Sequence, residues 1–100
     1  MKITLTDTVK NYEGKPIVED GTRKNLTLRD VFAVALNNLA PEEQLTPEQK
    51  FKVFELSKRI FEDTVIDLTV EDAVLIKERV GIVYSSLIYG RVCEVIDGKV

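Results

Sequence analysis

The chain contains no histidine, no tryptophan and a single cysteine, Cys93. Without histidine, serine–histidine and cysteine–histidine hydrolysis, imidazole general-base chemistry and nearly all histidine-bearing zinc sites are excluded. One cysteine can neither close an intramolecular disulfide nor supply a thiolate zinc cage, and its solitude points to a reducing compartment. The five glycines, Gly14, Gly21, Gly81, Gly90 and Gly98, are scattered singly, so no glycine-rich loop of the phosphate-cradling kind is present. No apolar run approaches bilayer length, and the segment Met1 to Asp7 lacks the apolar stretch of a signal peptide. The expected location is therefore cytoplasmic, that of a host cell or a virion included, and not secreted. Asn25-Leu26-Thr27 fits the glycosylation pattern, but without export it goes unmodified.

What is present is the composition of a folded domain. Of 100 residues, 44% are hydrophobic and 31% charged, enough for one core and too few for two. Residues 1–100 read as a single domain. The net charge of -3 argues against general nucleic-acid affinity, which needs concentrated positive charge. Charge is evenly spread, with no basic or acidic tail.

The pattern predicts an α+β fold, mainly helical, with an N-terminal β-hairpin or extended segment packed on a three- to four-helix bundle. Ile3 and Leu5 alternate with Lys2, Thr4 and Thr6, as in a half-buried strand. Turn chemistry at Glu13-Gly14-Lys15-Pro16, a second run from Pro16 to Glu19 and a turn at Asp20-Gly21 suggest a hairpin across 2–19. Helices are expected over 27–39, 47–62, 70–80 and 86–96. Thr27 opens the first, with Asp30 at the positive helix end, and Asn37-Asn38 and Pro41 close it. Thr46-Pro47-Glu48-Gln49 opens the second with a cap, a first-turn proline and a capping box. Its expected inward stripe is Val53, Phe54, Ser57, Ile60 and Phe61, widened by Phe51 and Leu56. Its outer face pairs Glu48 with Lys52, Glu55 with Arg59 and Lys58 with Glu62 at spacing four. Val65 to Leu68 is a short extended link able to form a third strand. Thr69 then repeats the cap grammar ahead of a stripe of Val70, Ala73, Val74, Lys77 and Val80, with Gly81 ending or bending that helix. Ser85 or Ser86 caps the last helix, and Asp97-Gly98 ends it.

Little of this supports catalysis. Cys93 lies among Val92, Val95 and Ile96, where a small core residue is expected. The acidic pairs Glu42-Glu43, Glu62-Asp63 and Glu71-Asp72 are sequence neighbours, which on a helix point about 100° apart and do not converge. No catalytic, cofactor-binding or metal-binding residues are expected, and no small-molecule substrate is indicated. A nucleic-acid-associated regulator would use the 47–62 helix, through Lys50, Lys52, Lys58 and Arg59 with Tyr84, Tyr89 and Arg91. Glu48, Glu55 and Glu62 neutralise that face, which argues against it. The stretch Val80 to Gly90 carries no charge and two tyrosines. It is expected to be either core or a partner surface, with Tyr84, Leu87, Ile88, Tyr89 and Arg91 as candidate partner-binding residues.

The order of features resembles that of small proteins of about this length encoded in tailed phages and prophages. The likeness runs through Leu26-Thr27-Leu28-Arg29-Asp30-Val31, Glu48-Gln49-Lys50-Phe51 leading to Phe54-Glu55-Leu56, Leu68 to Lys77, and Tyr84 to Gly90. It implies an accessory role in assembly or on a host component, and it brings no functional residues with it. The expected function is a non-enzymatic protein–protein interaction or assembly module, binding another protein or itself as an oligomer.

Overall fold

The computed structural model describes residues 2–19, 21, 23–38 and 45–98. The chain runs β1 (Lys2–Thr4), α1 (Leu28–Asn37), α2 (Pro47–Glu62), β2 (Val65–Asp67), α3 (Val70–Val83) and α4 (Ser86–Asp97). This is a mainly helical α+β fold. Helix α1 packs against both α2 and α3, and α4 packs on α3.

The N-terminal strand finds its partner far along the chain. β1 pairs antiparallel with β2, setting Ile3 opposite Ile66, and both side chains are buried. The expected 2–19 segment does contain a hairpin turn, narrower than anticipated, bridging Lys10 and Pro16. Asn11 shapes it: its Oδ1 accepts from the amides of Glu13 at 2.9 Å and Lys15 at 3.1 Å. Gly14 there adopts φ 81°, a conformation that costs glycine nothing. Three extended pieces then close a ring of backbone bonds. Val9 N–H donates to Leu26 O (2.8 Å), Leu26 N–H to Ile17 O (2.7 Å) and Ile17 N–H to Val9 O (2.9 Å). Each apolar side chain of that ring rests on the core.

All three threonine starts form full capping boxes, with Asp30, Gln49 and Asp72 completing them. At α1 the remaining first-turn amides are met by tertiary acceptors. Leu28 N–H donates to Asp7 O at 2.9 Å and Arg29 N–H to Leu5 O at 3.0 Å. All four opening amides of α1 are therefore satisfied within the protein, which ties the N-terminal segment to the helix. Ser85 is the N-cap of α4 without a side-chain cap bond, and Gly98 ends it at φ 70°.

The core is built from Leu28, Val31, Phe32, Ala35 and Leu36 of α1, with Leu56, Ile60, Ile76, Val80, Val92 and Ile96 closing around them. Two expected stripes are corrected. On α3 the buried residues are Ala73, Ile76, Arg79 and Val80, while Val70 and Val74 face out. On α2 they are Val53, Leu56, Ser57 and Ile60, while Phe51, Phe54 and Phe61 face out. Helix α3 also continues through Gly81 to Val83, and the glycine leaves room for the Tyr89 ring of α4, which would lie 3.1 Å from a Cβ there. Asn38 ends α1 as its C-cap. Leu39, Pro41, Glu42-Glu43 and Asp20, invoked as a helix residue, a stop signal, an acidic pair and part of a turn, lie outside the described residues.

The rotation of α3 follows from Arg79, which is only 5% exposed. Helix α1 has no basic residue in its last turn. Arg79 supplies one from α3, donating from Nε to Ala35 O at 3.2 Å and from Nη2 to Asn38 O. Four of the five arginines act in this way, on backbone carbonyls. Arg29 reaches Ile60 O (3.0 Å) and Asp63 O (2.7 Å) at the end of α2. Arg59 reaches Asp67 O (2.7 Å), and Arg91 reaches Lys10 O (3.0 Å) and Asn11 O (2.6 Å).

Arg79→Met, which keeps the stem and removes the donors, is expected to cost about 3 kcal/mol, because it leaves carbonyls at the α1 terminus unpaired. Urea unfolding measures this. A midpoint equal to that of the native chain would mean that water replaces the guanidinium at no cost.

Candidate protein-interaction surface

Helix α2 packs against α1. Ser57 is buried there and its Oγ accepts from Asn37 Nδ2 at 3.3 Å. Phe51, Phe54 and Phe61 are 60%, 59% and 63% exposed, and Val34 of α1 is 40% exposed. Only Phe32 among the phenylalanines is enclosed. The ring centroids of Phe51 and Phe54 stand 6.1 Å apart with their planes inclined at 38°. Between the two helices runs an open groove of about 590 Å³, lined by Ala33, Val34, Asn37, Asn38, Phe54, Ser57, Lys58 and Phe61. Its walls are apolar and its rim carries an amine and two amides. Scattered exposed apolar residues are ordinary, but a contiguous aromatic strip bordered by polar groups is the composition of a binding surface.

The five residues singled out in the sequence occupy the α3–α4 elbow, and the structure does not gather them into one exposed patch. Tyr84 is the C-cap of α3, its N–H donating to Val80 O at 2.9 Å, and it packs on the core with Ile88. Leu87 is half-buried. Tyr89 is 38% exposed, with its ring over Gly81. Arg91 turns to the N-terminal segment and to Glu94 at 3.3 Å. A second cavity, of about 460 Å³, lies between that segment and α4, with Asp7, Lys10, Arg91 and Glu94 among its lining.

Several charged side chains are engaged structurally. Asp30 and Asp72 close capping boxes, and Asp72 also lies 3.5 Å from Arg59. Lys77 donates to Asp97 at 3.0 Å, joining α3 to the end of α4. Among the described residues no group of three or more Asp, Glu and Cys side chains is arranged to hold a metal ion. Of the four cations offered for nucleic acid on α2, Arg59 is spent on Asp67 O and Asp72, leaving the three lysines beside exposed phenylalanines. No helix among the described residues is long and apolar enough to cross a membrane. The exposed aromatic strip was missed in the sequence because its spacing also suits a core stripe. The available signal was Ser57, a small polar residue central to the supposed apolar face.

Three groups titrate away from their ordinary values in the alkaline range. The hydrogen bond to Asp97 raises Lys77 above 10.5, and burial raises the Tyr84 phenol above 10.0. The Tyr89 phenol is raised as well, first by its hydrogen bond with the Cys93 thiol. The folded state thus favours charged Lys77 and neutral tyrosine. That stability is complete below the unfolded values and is lost as pH rises through the folded ones. Melting temperature is expected to hold level through neutral pH and fall above about pH 10, with Lys77→Met flattening part of the fall. A Lys77→Met alkaline limb as steep as that of the native chain would show that the Asp97 pair adds nothing.

Because Ile88 packs on the core, Ile88→Asp is expected to destabilise the fold by about 2–3 kcal/mol, and Tyr89→Ser by less. Chemical unfolding of both variants ranks them, and equal, small effects would place Ile88 outside the core. No protein-family model, no curated protein and no solved structure matches this chain, so its functional reading rests on the residues themselves.

Proposed function

We propose that this protein is a non-enzymatic protein–protein interaction or assembly module whose binding face is the aromatic strip of α2 with the adjoining groove on α1. The single observation that carries the reading is the exposure of Phe51, Phe54 and Phe61 on one side of one helix. Removing such rings from water contributes strongly to association, and phenylalanine is enriched at interfaces. The absence of histidine and the structural engagement of Asp30, Asp72, Asp97 and Glu94 support the non-enzymatic part. The motif order shared with small tailed-phage proteins supports an accessory role, in phage assembly or in holding a host component. The Tyr84 to Arg91 segment then serves mainly to join α4 to the rest of the fold.

Phe54→Asp and Phe61→Asp test this. Both side chains are exposed, so stability should move by no more than about 0.5 kcal/mol. Association, whether with another protein or with a second copy, should weaken at least about 30-fold, as for loss of a binding hot spot. Solution mass and capture of partners by the immobilised protein are the readouts. If both variants associate as the native chain does, the strip is not the binding face. If both unfold, the rings belong to the core.

A further inference from the structure

We propose that the cavity between the N-terminal segment and α4 is a separate binding site, which takes the free C-terminal end of another protein as an added strand. This does not rest on the α2 strip. The segment Asp7 to Asn11 bridges its neighbours along a single edge, at Thr8↔Thr27 and Lys10↔Pro16. On that edge Leu28 N–H donates to Asp7 O, Val9 N–H to Leu26 O, Ile17 N–H to Val9 O and Asn11 N–H to Lys15 O. An extended chain turns the N–H and C=O of alternate residues to opposite edges, so those of Thr8 and Lys10 point the other way. That way lies α4, whose Arg91 Nε donates to Lys10 O at 3.0 Å. The Thr8 N–H, the Thr8 O and the Lys10 N–H have no hydrogen-bond partner among the described residues. This open edge borders a cavity of about 460 Å³, with buried Val9 and Leu28 and half-buried Val95 as its apolar wall. An unpaired strand edge is a template on which an extended peptide adds, through main-chain bonds.

The direction of the added strand follows from charge and from the one group already taken. In a parallel ladder the peptide residue opposite Val9 donates to Thr8 O and accepts from Lys10 N–H. The peptide residue two before it accepts from Thr8 N–H. These bonds use every open group of the edge. The next bond would need Lys10 O, which Arg91 holds, so the ladder stops there. A parallel peptide arrives at that point with its C-terminus, and both Lys10 and Arg91 line the cavity to meet its carboxylate. Arg91 spends three of its five N–H groups on Lys10 O, Asn11 O and Glu94, which leaves two for a carboxylate. Asp7 stands at the far end of the edge, three residues or about 10 Å from Lys10. An antiparallel peptide would instead bring its amino end to the two cations, and its second bonded pair would need Lys10 O.

The test passes short peptides, randomised over their last few residues, across the immobilised protein, in one pool with free C-terminal carboxylates and one with carboxamides. Peptides of the carboxylate pool should be retained, and their carboxamide forms should bind at least about tenfold more weakly. In two-dimensional NMR a retained peptide should shift the Thr8 and Lys10 amide signals and slow their exchange with solvent, as new backbone bonds require. Lys10→Gln keeps the amide and removes an exposed charge, so binding should weaken about threefold. Lys10→Pro removes the open donor itself, at an edge where proline is tolerated, and should weaken binding at least about tenfold. Circular dichroism checks the fold of both, and if Lys10→Pro unfolds, Lys10→Gln and the amide signals decide. Phe54→Asp should bind these peptides as the native chain does. Retention of neither pool overturns the proposal, and so does equal retention of both. Binding that leaves the Thr8 and Lys10 amides unshifted overturns it as well. Loss of binding in Phe54→Asp would put the peptide on the α2 strip and overturn it too.

Discussion

The guanidinium of Arg79 at the C-terminal end of α1 is the interaction on which the rest of the packing turns. The last carbonyls of a helix have no partner within the helix itself and take donors from elsewhere. Helix α1 lies between α2 and α3, and its own last turn offers no cation. Arg79 donates to Ala35 O and Asn38 O from a neighbouring helix and is almost wholly enclosed in doing so. With that residue pointing inward, Ile76 and Val80 follow it into the core, and Val70 and Val74 are turned out. Arg79 thus shares the buried side of α3 with Ala73, Ile76 and Val80.

The same logic extends through the other long cations. Arg29 sits in the first turn of α1 and serves the last carbonyls of α2, while Arg91 of α4 holds the loop at Lys10 and Asn11. Guanidinium suits this work because its planar fork stays charged and can reach two carbonyls at once. These residues resemble a basic surface when read along the chain, yet their charge is directed at the backbone. What remains outward on α2 is a set of lysines and glutamates around exposed rings. That surface suits protein association better than a polyanion.

The aromatic strip lies beside the α1–α2 contact. Ser57 is buried there and bonded to Asn37, while Phe51, Phe54 and Phe61 stay on the outer side of α2. Keeping three large apolar rings in water is unfavourable for an isolated chain, by about 25 cal/mol for each Å² left wet. Burial against the proposed partner would recover that free energy, which the half-buried elbow between α3 and α4 offers less of. The elbow is apolar because it is partly core, with Tyr84 and Ile88 as its inner residues.

Local chemistry was legible in the sequence. Thr27, Thr46 and Thr69 each announced a helix start, and all three form capping boxes, because such caps need only residues three positions apart. The mainly helical α+β class, the turn chemistry at Glu13 to Pro16 and the stop at Gly98 belong to the same short-range class. Only the tertiary structure decided that β1 pairs with residues 65–67, that Arg79 is buried, and that Phe51, Phe54 and Phe61 are exposed. Periodicity shows which residues share a helix face. It does not show which of two overlapping apolar arcs will meet a neighbour, because that depends on the side chains the neighbour presents. Here that neighbour is α1, a different helix from both α2 and α3, whose faces it receives.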